Sequence, residues 1–201
     1  MDDSRLAVEG PHLAETPSES PLFPGWRWAA VALAFPIAGL IGWTVGGHVD
    51  AVGAALLGGA LTGAGLGAAQ WLAAKDMFGQ WPAWVGASAV GYAVGLAAGA
   101  ALVGYETDIG SLAAMGAVSG VALGAAQGLV LARQGKERLA VAWGFAMPVL
   151  LAAGWSVTTL GGIDVDKQFT VFGAYGAITF MVLSGLLLAR FMSSKEQMEP
   201  R

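Results

Sequence analysis

Six stretches of this chain, 28–45, 51–74, 81–103, 109–132, 139–160 and 169–189, contain no Asp, Glu, Lys or Arg. No other feature limits the fold so strongly. Each is about as long as the roughly 17–25 apolar residues that a helix needs to cross a bilayer. A segment in hydrocarbon must also satisfy its own backbone hydrogen bonds, which a helix does. A soluble bundle would need polar outer faces, yet charged residues make up only 12% of the chain, against about a quarter in ordinary soluble domains. The expected fold is an all-α membrane protein with six transmembrane helices across residues 26–192.

The flanks read differently. Residues 1–25 are acidic and rich in Pro and Ser, without the basic start and apolar stretch of a secretory leader, so they are expected to form a disordered tail. Residues 193–201 read as a second tail. With six crossings, both tails and the second and fourth connections share one side. That side holds Arg5, Arg27, Lys75, Arg133, Lys136, Arg138, Arg190, Lys195 and Arg201, nine of the ten basic residues. The positive-inside rule therefore places both termini in the cytoplasm of a cell whose cytoplasmic membrane holds the protein. Trp26, Trp28, Trp71, Trp81, Trp84 and Trp143 fall near the inner boundary and Trp43 and Trp155 near the outer one, as interfacial indoles do.

The glycine-rich phrase "GALTGAGLGAAQWLAA" from Gly59 returns as "GAVSGVALGAAQGLVL" from Gly116, with 9 of 16 residues identical. A third copy, "GAYGAITFMVLSGLLLAR" from Gly173, matches the second at 7 of 18 positions, again 57 residues on. Self-similarity at a fixed period marks a repeat. Each unit spans two helices, about 26–77, 78–134 and 135–192. An even number of crossings returns the chain to the same side, so the units are parallel and approximate pseudo-threefold symmetry is expected. Gly59, Gly63 and Gly67 fall at i, i+4, i+8, as do Gly91, Gly95 and Gly99, and Gly116, Gly120 and Gly124. Between lipid-embedded helices, where apolar burial gives no drive, small residues of this kind permit close packing. Gln70 and Gln127 occupy equivalent places, with Ser184 third, and are expected to form interhelical hydrogen bonds. Pro36 and Pro148 lie inside their helices and free the carbonyls of Ala32 and Gly144.

The opposite side of the membrane carries Asp50, Glu106, Asp108, Asp164 and Asp166 against Lys167 alone. His48-x-Asp50, Glu106-x-Asp108 and Asp164-x-Asp166 recur 58 residues apart. An Asp just before an apolar run is a helix N-cap and suits the positive end of the helix dipole. The second ionisable group in each pair is not needed for capping. It raises the alternative of a divalent cation bound at the outer face by His48, Asp50, Glu106, Asp108, Asp164 and Asp166. The inner "RQGKER" from Arg133 reads as a topology signal and an anionic-lipid contact.

What is missing also bounds function. There is no cysteine, and His12 and His48 are the only histidines. No ionisable side chain lies inside an apolar run, where coupled transporters place theirs. No nucleotide, zinc-hydrolase or serine-hydrolase motif is present. The chain is expected to be non-enzymatic, without a resident organic cofactor and without a nucleic-acid partner. Its partners are the lipid bilayer and, as an expectation, another membrane protein or a second copy of itself. A structural or partner-binding bundle is the leading expectation; a channel or facilitator for a small solute or divalent cation, with an acidic vestibule, is the alternative. Thr44, Thr62, Ser88, Ser119, Ser156, Thr158, Thr159, Thr179 and Ser184 are the groups expected to line such a path.

At Gly67-Ala68-Ala69-Gln70-Trp71-Leu72 the chain resembles a loose group of uncharacterised bacterial multi-pass membrane proteins, whose repeated glycine-rich helices end in Gly-x-x-Gln-Trp-Leu. The second copy has Gly128 in place of the Trp, and the third keeps neither Gln nor Trp. The resemblance covers the repeat units but not the tails. It implies a bacterial cytoplasmic membrane protein and no particular activity.

Overall fold

The computed structural model describes residues 25–163 and 170–196, the last four for their backbone only. Among these there are no strands, and six helices are long and apolar enough to cross a membrane. They are α1 (Gly25–Gly46), α2 (Val52–Ala73), α3 (Trp81–Leu102), α4 (Ile109–Ala132), α5 (Glu137–Leu160) and α6 (Ala174–Glu196). This is an integral, multi-pass membrane protein. Arg27, Lys75, Arg133, Lys136, Arg138 and Arg190 mark its basic end, and Asp50, Glu106 and Asp108 its acidic end.

Each helix packs on its sequence neighbours, and α1 meets α6 to close the ring. Packing is tightest from α2 through α5, and the three glycine stripes explain why. A Cβ on Gly59 would stand 2.9 Å from the Ala93 Cα, and one on Gly67 2.6 Å from the Ser88 Cβ; Gly63 lies directly on the Ser88 carbonyl. Gly91, Gly95 and Gly99 sit in the same way on Leu123, Ser119 and Met115 of α4. Gly116, Gly120 and Gly124 sit on Leu151, Met147 and Gly144 of α5. Each stripe thus receives the backbone of the next helix, and α2, α3, α4 and α5 are joined in sequence by missing side chains. The Gly144 carbonyl freed by Pro148 lies against Gly124, so this unpaired acceptor is buried between helices and not in lipid. In α1 the proline has a different effect: a turn of 3₁₀ helix, Val31–Leu33, precedes Pro36.

Two expectations are corrected. The sixth helix begins at Ala174, not at 169, because Thr170–Gly173 is non-helical and folded into the bundle. Nor do the tryptophans all face outward as interfacial indoles do. Trp28, Trp84, Trp143 and Trp155 are at most 1% exposed and form the largest buried side chains, whereas Trp26 and Trp81 are the outward-facing ones. A ring of six helices with glycine-lined walls leaves axial space, and indoles fill it.

Candidate functional site: the bundle interior

The basic end is sealed by a connection turned inward. Between α2 and α3 a single helical turn, Lys75–Phe78, carries the Phe78 ring onto the axis, where none of it is exposed. Phe78 stacks on Trp84 with centroids 3.8 Å apart and lies 5.7 Å from Trp28 and 6.0 Å from Trp143. Trp143 in turn is 6.4 Å from Trp28 and 6.1 Å from Trp84. Gly79 then reverses the chain at φ 69°, a conformation that suits glycine. Polar contacts hold this turn from three sides. The Trp71 indole donates to the Gly79 carbonyl at 2.7 Å, Gln134 Nε2 to the Phe78 carbonyl at 2.8 Å, and Lys136 Nζ to the Met77 carbonyl. Lys136 and Gln134, expected to face lipid headgroups, therefore satisfy the carbonyls of the inserted turn. A short loop that enters a bundle needs such donors, because its own helix is too short to use them.

The acidic half is sealed by Thr170–Gly173. Thr170 is fully buried, and Val171 and Phe172 are nearly so. The Thr170 hydroxyl lies 2.6 Å from that of Thr62 on α2 and 3.3 Å from the Gly39 carbonyl on α1. Tyr92 Oη donates to the Thr170 carbonyl at 2.6 Å. Three glycines make room: a Cβ on Gly39 would come 2.6 Å from Val171 Cγ1, and Cβ atoms on Gly42 and Gly58 would collide with Thr170 at 2.7 and 2.5 Å. Phe172 stacks on Phe35 at 5.2 Å and meets Trp155 edge-on at 5.9 Å. Non-helical backbone at membrane depth is tolerated only when protein surrounds it or water reaches it, and here protein surrounds it.

Between the two seals lies a cavity of about 30 Å³, walled mainly by apolar groups, with Gln70, Ser88, Tyr92 and Gln127 as its polar lining. Gln127 is the hub. Its Oε1 accepts from the Trp143 indole at 2.8 Å, and its Nε2 donates to Ser88 Oγ at 2.8 Å and to Gln70 Oε1 at 3.4 Å. Ser184, the third equivalent position, accepts from the Trp28 indole at 3.2 Å. The expected interhelical role of Gln70 and Gln127 thus has a geometry: one carboxamide ties α4 to α2, α3 and α5.

The other hydroxyls proposed as path lining turn back on their own helices. Thr44, Ser119, Ser156, Thr158, Thr159 and Thr179 each donate to the carbonyl four residues earlier, and so does Ser184. Ser88 does the same to Trp84, but it, Thr62 and Ser184 also join side-chain contacts inside the bundle.

At the acidic end Asp108 caps α4. It accepts from the Gly110 N–H at 2.9 Å, from the Ser111 N–H at 3.2 Å and from the Ser111 hydroxyl. The Ser111 hydroxyl and these N–H groups favour the carboxylate and hold its pKa below the ordinary value. Asp50 does not cap α2: Ala51 is the extended residue at that position, and Asp50 is exposed. His48 lies edge-on to Trp43 with ring centroids 5.9 Å apart, and Glu106 is exposed. Among the described residues no three His, Asp or Glu side chains converge in a way that could hold a metal ion. Asp164 and Asp166 lie outside the described residues.

Reading the sequence alone missed the parts of the interior that come from connections. Phe78 carried one signal, as the large aromatic residue in a short polar turn before glycine. Thr170, Val171 and Phe172 carried none, since they continue an apolar run. No family model, no curated protein and no solved structure matches the chain.

Proposed function

We propose that this protein is a non-enzymatic bundle of a bacterial cytoplasmic membrane, with both termini cytoplasmic, that acts as a structural or partner-binding component and not as an open conduit. The observation that carries this reading is the double seal. Three indoles and Phe78 fill one end of the axis, Thr170–Phe172 fill the other, and a cavity of about 30 Å³ lies between. Most of the polar groups inside bond to one another, and among the described residues no charged side chain lines the cavity. The parallel three-unit repeat gives the same reading an evolutionary form: a two-helix unit multiplied until the ring closes.

A second reading has its own support. Each seal includes a connecting segment, Lys75–Phe78 at one end and Thr170–Gly173 at the other, and either segment could leave the axis without dismantling the ring. That geometry fits a gated facilitator for a small solute or a divalent cation, with the acidic residues as its vestibule. Reconstitution separates the two. Liposomes containing the purified chain are expected to match empty liposomes in water, glycerol and Mg²⁺ flux, and gentle extraction is expected to bring out a second polypeptide or a homo-oligomer. Flux above the empty-liposome rate that falls when a disulfide between introduced cysteines ties the Lys75–Phe78 turn to a membrane helix would replace the first reading with the second. Reporter fusions at each terminus check the orientation.

A further inference from the structure

The hydrogen-bond hub leaves one amide group without a partner among the described residues. An indole N–H can only donate, so Trp143 fixes which atom of the Gln127 carboxamide faces it: the oxygen, at 2.8 Å. The nitrogen of Gln127 must then face the other way, where it donates to Ser88 Oγ and to Gln70. Gln70 therefore turns its own oxygen toward Gln127. Its Nε2, with two hydrogens, has no acceptor among the described residues, although the side chain is only 4% exposed. A buried donor left unmade is costly, and such groups in folded proteins find a partner or an ordered water.

Gln70 lines the cavity, and so do groups able to complete a water's coordination. Tyr92 spends its hydrogen on the Thr170 carbonyl, which leaves its oxygen free to accept. Gln127 Oε1 retains a second lone pair beyond the Trp143 bond. A water needs about 10–15 Å³ of such space and two to four polar partners. The cavity, at about 30 Å³, has room for one or two.

We propose that the cavity between Phe172 and the tryptophan layer is a water-binding site, holding one or two ordered waters that accept from Gln70 Nε2 and donate to Tyr92 or Gln127. The site is hydrated within a sealed bundle, so the proposal does not rest on the functional reading above and survives if that reading is replaced.

Radiolytic hydroxyl-radical labelling of the full chain in lipid nanodiscs tests it, because an ordered water is a local radical source for the side chains beside it. Tyr92, Phe172 and Phe180 line the cavity and are each 3% exposed; Phe78 and Trp143 are fully buried and do not line it. The first three are expected to label several-fold faster than the last two. Gln70→Leu removes the anchor and is expected to bring all five to one slow rate. Leu123→Phe fills the cavity with every polar group intact and is expected to do the same. Equal slow labelling of all five in the unaltered protein overturns the proposal without any variant having to fold. Fast labelling that persists in folded Gln70→Leu overturns the role of Gln70.

Discussion

The two sides of this ring hold together by opposite means. From α2 to α5 the helices are joined by absence: nine glycines let one backbone rest on the next, and almost nothing polar crosses the contact except at Gln127. At the α1–α6 seam the helices meet directly only in the basic half, where the Trp28 indole donates to the Met181 carbonyl and to Ser184, and are joined by insertion in the other half. A non-helical segment, Thr170–Gly173, stands between them in the acidic half, held by hydroxyls, a tyrosine and stacked phenylalanines. The comparison shows two solutions to one problem. Lipid gives apolar surfaces no reason to leave it, so association comes from close van der Waals approach or from polar groups that lipid cannot satisfy. The glycine side uses the first and the seam the second.

The largest effect is expected where the glycine side is broken. A Cβ on Gly120 would stand 2.5 Å from the Pro148 Cα, and one on Gly95 2.6 Å from the Ser119 Cα; backbone on both sides cannot yield as a flexible side chain could. Gly120→Leu and Gly95→Leu are expected to cost more than the roughly 1–3 kcal/mol typical of overpacking and to abolish a monodisperse peak in size-exclusion chromatography. Val121→Leu, one residue from Gly120 but outward-facing, is expected to stay within about 0.5 kcal/mol of the unaltered protein in the same unfolding assay. Equal tolerance of all three would mean that the stripes do not carry the packing.

The aromatic seal at the basic end comes next. Phe78→Ala removes a fully buried ring that touches three tryptophans, and a loss of about 3–5 kcal/mol is expected from steric-trap unfolding in bicelles. Tryptophan emission should shift to longer wavelength as water reaches Trp84.

The seam is expected to respond more gently. Thr170→Val keeps the shape and removes the hydroxyl shared with Thr62, and Tyr92→Phe removes the bond to the Thr170 carbonyl. Each should cost about 1 kcal/mol, as single buried hydrogen bonds do. Together they are expected to cost less than their sum, since both hold one segment. Strict additivity in that double-mutant cycle would mean that the segment is not a unit.

The smallest effect belongs to Asp108. Its folded pKa lies below the unfolded value, so its contribution is present at neutral pH and is lost as pH falls through the folded pKa. Asp108→Ala is therefore expected to lower the melting temperature slightly at pH 7 and not at all at strongly acidic pH. Asp50→Ala, which removes no cap, is expected to be silent at both.

The sequence by itself determined the number of helices, the split of charge between two ends and the positions of closest packing. These follow from local properties: the length of an uncharged run, the side on which a basic residue falls, the 3.6-residue period that puts i, i+4 and i+8 on one face. It also put Gln70 and Gln127 at matching places in the two glycine-rich phrases, though not that one would act as hub and the other be left with a spare amide. That asymmetry depends on Trp143 reaching Gln127, which is a matter of distance between helices.

Only the tertiary structure decided what fills the axis. Trp28 and Trp26 are two residues apart and read alike as boundary indoles, yet one is 1% exposed and the other 77%. Helix rotation within the ring decides between them, and rotation is set by contacts with the neighbouring helices. The same reason hid the inserted segments. In a membrane protein the lipid-facing surface and the core are both apolar, so Thr170–Phe172 reads as more helix. Whether a stretch spans, turns or plugs depends on the space the other helices leave, and that space is a property of the assembled ring.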